Sequence, residues 1–208
     1  MSCTGSAPTC PGSGETATCQ SGSWNCGPGS PIIIDVLNDG YNLSSAKDGV
    51  FFDLNGDGKP SKIGWTRTND DDSWLSLDRN GNGKIDNGLE LFGNFTKQPR
   101  SASPNGFIAL AEFDKLIEGG NANGQIDKGD TIFSKLRMWT DSNHNGVSEA
   151  SELRSLDAAK IVSIDLNFKE SKWRDIYGNQ FRFKAKAEFA DRRNKNDWVY
   201  DVFLVGLK

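Results

Sequence analysis

Several stretches of this chain set side-chain oxygens at alternate residues, and that spacing limits the chemistry available to them. In Asp141-Ser-Asn-His-Asn-Gly-Val-Ser-Glu-Ala-Ser-Glu152, oxygens stand at the first, third, fifth, ninth and twelfth places, on Asp141, Asn143, Asn145, Glu149 and Glu152. Gly146 is sixth, where a sharp turn is needed, and Val147 is seventh, where a backbone carbonyl serves. Ca²⁺ is a hard cation that takes roughly six to eight oxygen ligands, so a short loop must turn one inward at every second residue. The stretch matches the EF-hand loop on this spacing, with Glu152 offering both carboxylate oxygens from the first turn of a following helix. A β-hairpin is the competing reading, because Asn-Gly is a strong short turn signal. It accounts for Asn145-Gly146 and leaves Asp141, Asn143 and Glu152 unexplained.

Three other loops vary the pattern. Asp78-Arg-Asn-Gly-Asn-Gly83 supplies Asp78, Asn80 and Asn82, then the Lys84 carbonyl, an inward Ile85 at the eighth place and Asp86 at the ninth. Leu89 is twelfth and Glu90 follows it; the freedom of Gly88 would let the backbone deliver Glu90 to the ion. Asp53-Leu-Asn-Gly-Asp-Gly58 carries Asp53, Asn55 and Asp57 but has Gly64 in twelfth place, so it reads equally as a calcium loop or a plain turn. In Gly119-Gly-Asn-Ala-Asn-Gly-Gln-Ile-Asp-Lys-Gly-Asp130 the first carboxylate has become Gly119. Two readings stand there: a decayed site kept for its shape, or a weak one using Asn121, Asn123, Asp127 and Asp130. Losing a formal charge lowers affinity, which favours decay.

The elements that would position these loops are short. Ile32-Ile-Ile-Asp-Val36 and Val50-Phe-Phe-Asp53 read as strands, and Ile63-Gly-Trp-Thr-Arg67 with Ser73-Trp-Leu-Ser-Leu77 as a hairpin turning at Asn69-Asp-Asp-Asp72. Phe107, Leu110, Phe113, Leu116 and Ile117 fall on one stripe and predict an amphipathic helix over 107–117. Thr131–Leu136 predicts a second short helix, and Glu152–Leu156 the exit helix of the opening loop. Alternation in 161–168, 180–189 and 198–205 predicts a C-terminal antiparallel meander with one dry face. The expectation is an α+β fold of antiparallel strands, short helices and EF-hand-like calcium loops.

All four cysteines, Cys3, Cys10, Cys19 and Cys26, fall within a Gly/Ser/Pro-rich segment ending near residue 30. Their spacing is wider than that of structural zinc sites, so two disulfides stapling this segment are expected, in any of three pairings or between chains. That implies an oxidising compartment. The domain proper is expected over residues 31–208. A net charge of −4 gives no reason to expect nucleic acid, and the stripe Arg182, Lys184, Lys186 reads as the wet face of a sheet. No apolar run is long enough to span a membrane, and Met1-Ser-Cys3 shows no signal peptide. His144 is the single histidine, which excludes a His-rich zinc centre and leaves few options for a triad. It stands where a calcium loop points to solvent and reads as a bystander. Paired carboxylates make a glycosidase formally possible, yet each dense cluster belongs to a loop already described.

Leu77-Asp-Arg-Asn-Gly-Asn-Gly-Lys-Ile-Asp-Asn-Gly-Leu-Glu-Leu-Phe-Gly93, Asn105-Gly-Phe-Ile-Ala-Leu110, Leu136-Arg-Met-Trp-Thr-Asp141 and Ser163-Ile-Asp-Leu166 together resemble a signature of secreted bacterial calcium-binding proteins. In this order they are similar to the self-processing module of iron-regulated RTX-type proteins over about residues 31 to 168. The resemblance implies a module that folds on calcium and cleaves an Asp-Pro bond at its N-terminal edge, through attack of the aspartate on its own carbonyl. Here the matching dipeptide is Ser30-Pro31, and no proline follows an aspartate. The calcium loops carry over; the Asp-Pro cleavage does not. The resulting expectation is an exported, extracellular or cell-surface module, structural or interactive, whose partners are calcium ions and other extracellular proteins or copies of itself. A calcium-triggered self-processing module and a subunit of an extracellular assembly or adhesin are the alternatives.

Overall fold

The computed structural model of this protein describes residues 29–191 and 198–207, with the backbone of 18–20 and 23–25. In chain order the strands are β1 Thr18–Gln20, β2 Ser23–Asn25, β3 Ile32–Ile34, β4 Val50–Phe52, β5 Ser61–Ile63, β6 Ser73–Ser76 and β7 Gln125–Ile126. They continue with β8 Arg137–Trp139, β9 Leu153–Ser155, β10 Ile161–Asp165, β11 Lys169–Arg174, β12 Gln180–Phe189 and β13 Trp198–Phe203. One α-helix, α1 (Gly106–Ala111), and four 3-10 turns complete the described elements. A single antiparallel sheet runs β7-β10-β12-β13-β3-β6-β8-β9, and β11 pairs with the N-terminal half of β12. β1 with β2, and β4 with β5, form separate hairpins.

The sheet is packed on both faces, which explains why Ile32, Ile33 and Ile34 are all fully buried. Ile32 and Ile34 join Leu75, Met138, Phe183 and Val199 on one face, against Phe107, Ala109 and Leu110 of α1. Ile33 joins Trp74, Trp139, Phe181 and Val202 on the other, against Val50, Phe52 and Ile63 of the β4–β5 hairpin. Residues 181 and 183 would share a face in a regular strand. A register shift between them, in the pairing of β12 with β13, sends Phe181 to one core and Phe183 to the other. Trp65, Trp74 and Trp139 cluster in the second core, with Trp74 tilted (4.7 Å between centroids) and Trp139 edge-on (5.5 Å) to Trp65.

The α+β expectation is overturned: β-structure dominates and α1 has six residues. Asn105 caps α1 by accepting from the Phe107 and Ile108 amides, but the helix gives way to 3-10 turns at Glu112–Asp114 and Leu116–Glu118. The apolar stripe therefore breaks, leaving Leu116 74% and Ile117 89% exposed. The cause lies in Asp114, whose carboxylate turns back to hold a later loop. Thr131–Leu136 forms turns, closed by Phe133 donating to Asp130 O and Leu136 to Ile132 O. Leu153–Ser155 is strand β9, not an exit helix, because it pairs residue for residue with β8. No loop is flanked by two helices, so the helix–loop–helix of an EF-hand is absent among the described residues. The expected hairpin of 63–67 with 73–77 is also replaced: β5 pairs with β4, while β6 lies between β3 and β8. Cys3, Cys10, Cys26 and the side chain of Cys19, on which the expected disulfides fall, lie outside the described residues, and no disulfide occurs among those described.

Candidate metal centre

The loop over residues 141–152 leaves β8 and enters β9, so its two ends are fixed by one strand pair. Asp141 is buried, and its two oxygens accept from the Asn145 amide (3.1 Å), the Gly146 amide (2.8 Å) and the Trp65 indole (2.9 Å). Gly146 has φ +72°, the left-handed turn that its sixth place requires. Asn143 accepts from the Asn145 amide and Asn145 from the Val147 amide, winding the loop inward. Glu152 closes it: one oxygen accepts from the Ser142 amide and hydroxyl, the other from the Trp139 indole (3.3 Å). The first and twelfth carboxylates are thus bonded to two indoles of the same tryptophan cluster. The side-chain amide of Asn145 donates to Glu149 and holds its carboxyl below the usual carboxylate range. The other oxygen of Glu149, Oε2, is buried and has no hydrogen-bond partner.

The loop over residues 78–90 repeats this wiring. Asp78 accepts from the Gly81, Asn82 and Gly83 amides, Asn80 from Asn82, and Asn82 from the Lys84 amide. The side-chain amides of Asn80 and Asn82 both donate to Asp86. Glu90, buried despite its charge, accepts from the Arg79 and Asp86 amides, so the thirteenth residue does close the loop. Gly88 allows this: a Cβ there would lie 1.9 Å from the Leu54 carbonyl oxygen. The two loops meet at their eighth places, where Ser148 Oγ accepts from the Ile85 amide (2.7 Å) and lies 3.3 Å from the Ile85 carbonyl oxygen.

Asp53, Asn55 and Asp57 sit together in the turn after β4, with Asp53 accepting from the Asp57 and Gly58 amides and Asn55 from Asp57. The sequence reading missed the carboxylate that completes the loop over 119–130. Asp114 takes the place left by Gly119: its oxygens accept from the Asn123 (3.1 Å) and Gly124 (2.9 Å) amides, as Asp78 accepts from Asn82 and Gly83. Asn121 and Asn123 donate to Asp127, and Asp130 accepts from the Asn121 and Asp127 amides, as Glu90 does in its loop. The detour between Asp114 and the loop ends at Gly119 (φ +83°) and Gly120, where a Cβ would lie 2.2 Å from the Asp114 carbonyl carbon. The Gly-Gly pair was the one available signal that the chain folds back there. His144 does not point freely to solvent: its ring nitrogens lie within hydrogen-bond distance of the Thr66 and Asp48 carbonyl oxygens, and a single N–H to either ties the 141–152 loop to the neighbouring segment.

Fold and loops together define a class: an antiparallel β domain whose turns are oxygen-lined loops of fixed spacing. Residues 32–205 match the family described as the SPM domain, and the chain belongs to that family. Among curated proteins it is similar to iron-regulated protein FrpA of Neisseria meningitidis serogroup C, at 41% identity over 143 residues. That similarity covers 67% of this chain but 12% of the relative, so the chain corresponds to a small part of FrpA. No helix of the described residues is long and apolar enough to cross a membrane.

Proposed function

We propose that this domain binds calcium in its oxygen-lined loops and gains stability from it, acting outside the cell as a structural or interaction module. The observation that carries the reading is Glu149 Oε2, a solvent-inaccessible carboxylate oxygen with no hydrogen-bond partner. A hard cation would supply the partner that this oxygen lacks. The donor sets fit such an ion in type: Asp141, Asn143, Asn145, the Val147 carbonyl, Glu149 and Glu152 in one loop, and Asp78, Asn80, Asn82, the Lys84 carbonyl, Asp86 and Glu90 in its neighbour. All offer oxygen, and none offers sulfur or imidazole. Asp114, Asn121, Asn123, Asp127 and Asp130 make a third set of the same kind; Asp53, Asn55 and Asp57 lack a closing carboxylate. Bound calcium would supply positive charge to carboxylates that repel one another in its absence, so binding energy becomes folding energy.

Calorimetric titration with calcium tests this, with thermal melts in calcium and in chelator as a second readout. Three binding steps are expected, and Asp114→Ala should remove one while Asp78→Ala and Asp141→Ala each remove another. Identical melts in calcium and chelator, with no heat of binding, would refute the reading.

A further inference from the structure

Beside the second core, the sheet face that carries Trp74 and Trp139 bears two charged clusters of opposite sign. On the positive side, Lys169 of β11 stands directly opposite Lys184 of β12, and Lys186 stands opposite Trp198 of β13. Like charges placed opposite one another in a sheet repel. They gather here on the Trp198 ring, whose centroid has the Lys169, Lys184 and Lys186 ammonium nitrogens at 4.4, 4.4 and 4.1 Å. On the negative side, carboxylate oxygens of Asp35, Asp39 and Asp71 lie within 4.8 Å of one another, and Asp39 is exposed. Burial raises the Asp71 carboxyl above its ordinary range, and the charges of Asp35 and Asp70 raise it further, as expected where negative charge has no counterion. No ion pair among the described residues involves any of these six side chains.

The two clusters share an aromatic centre. β13 lies between β12 and β3, so Trp198 and Tyr200 separate the lysines from Asp35, the residue that follows β3. Tyr41 spans the gap: its hydroxyl donates to the Trp198 carbonyl (2.6 Å) and accepts from the Asp35 amide (3.4 Å). The Tyr41 ring meets those of Trp173 and Tyr200, with centroids 6.0 and 5.3 Å away, and Trp173 is 40% exposed. Half-exposed aromatics at the centre, with charge around them, are the composition of a protein interface.

We infer that this face docks a second copy of the chain in a two-fold symmetric dimer, the lysines of each copy lying over the aspartates of the other. A two-fold axis passing between the clusters exchanges them, so a single face supplies both complementary halves. That balance selects the occupant. An unrelated acidic partner would match the lysines and leave Asp35, Asp39 and Asp71 repelling one another; a cation alone would match the aspartates and leave the lysines. Only a surface carrying both signs matches both, and this chain carries one. The contact uses no side chain of the calcium loops and stands or falls apart from them.

The full chain, in calcium and in reductant so that no cross-link through the N-terminal cysteines contributes, is followed by sedimentation velocity over a concentration series reaching about 1 mM. A monomer–dimer equilibrium is expected. It should weaken as salt rises from about 0.15 M to about 1 M, which shortens the screening length from about 8 Å to about 3 Å. Lys186→Glu and Asp39→Lys should each weaken the dimer by about tenfold or more while keeping the parent's circular dichroism. Mixed in equal amounts, the two variants should dimerise more tightly than either alone, because the mixed pair has one unaltered half and one half with both charges exchanged. Lys97→Glu, an equal change of charge away from both clusters, should leave the equilibrium as in the parent. A parent that stays monomeric through the whole series, a dimer indifferent to salt, or a mixture no tighter than its separate components overturns the proposal.

Discussion

Replacing Asp141 with alanine should destabilise the domain even in chelator, because this side chain bonds to the core as well as to its own loop. Three donors lose their acceptor: the Asn145 amide, the Gly146 amide and the Trp65 indole. Gly146 and Trp65 are buried, so at least two orphaned donors stay out of water. At about 1–3 kcal/mol each, the loss is about 2–6 kcal/mol. A domain of this size loses roughly 2–4 °C per kcal/mol, so the melting temperature should fall by about 4–24 °C. Urea unfolding in chelator, followed by tryptophan fluorescence, measures the loss without any contribution from binding. A double-mutant cycle with Trp65→Phe isolates the indole bond, since phenylalanine keeps an aromatic ring and removes the donor. A coupling of about 1–3 kcal/mol is expected. If the two losses add to within about 0.5 kcal/mol, the indole does not join loop to core and the reasoning fails.

Two further outcomes follow from buried polar groups. Burial pushes the Asp72 carboxyl up to about 9, and the charges of Asp70, Asp35 and Asp71 add to the effect. The folded protein therefore holds this proton at pH values where the unfolded chain has lost it. Its contribution is complete below about pH 4 and disappears as pH rises towards about 9. Asp72→Asn should flatten the decline in urea midpoint between pH 5 and 9 and exceed the parent at pH 8; parallel curves would contradict the assignment. Ser148→Ala removes the hydroxyl that joins the eighth places of two loops, at 2.7 Å from the Ile85 amide. Stability in urea should fall by about 1 kcal/mol; an unchanged urea midpoint would show that this bond does not hold the two loops together.

How far the sequence could be read depended on how local the determining contacts are. In the 141–152 loop every oxygen and the turning glycine lie within twelve consecutive residues, so spacing alone brings Asp141, Asn143, Asn145, Glu149 and Glu152 to one loop. The 78–90 loop needs one inserted residue, and Gly88 beside Glu90 betrays it. Asp114 is different, because it reaches its loop across a 3-10 turn and two glycines, and no periodic pattern connects it to Asn121. The same side chain explains the failed helix. Phe107 and Leu110 are on the core face as the 3.6-residue period requires, but continuing that period to Ile117 would swing Asp114 away from the Asn123 and Gly124 amides.

The strands followed a different logic. β8 and β9 have three residues each, too few for alternation to declare itself, and their pairing, β8 with β6 and β9 with β8, makes them strands. β12 has ten residues and an alternating burial pattern, which the sequence does display. Even there the register shift after Phe181 could not be read, because the order of side chains is unchanged while their faces exchange. That shift matters to the loops. It delivers Phe181 to the core that holds Trp65 and Trp139, whose indoles reach out to Asp141 and Glu152. A disturbance at the start of β12 should therefore reach the 141–152 loop through this shared core, even though residue 181 lies far along the chain from it.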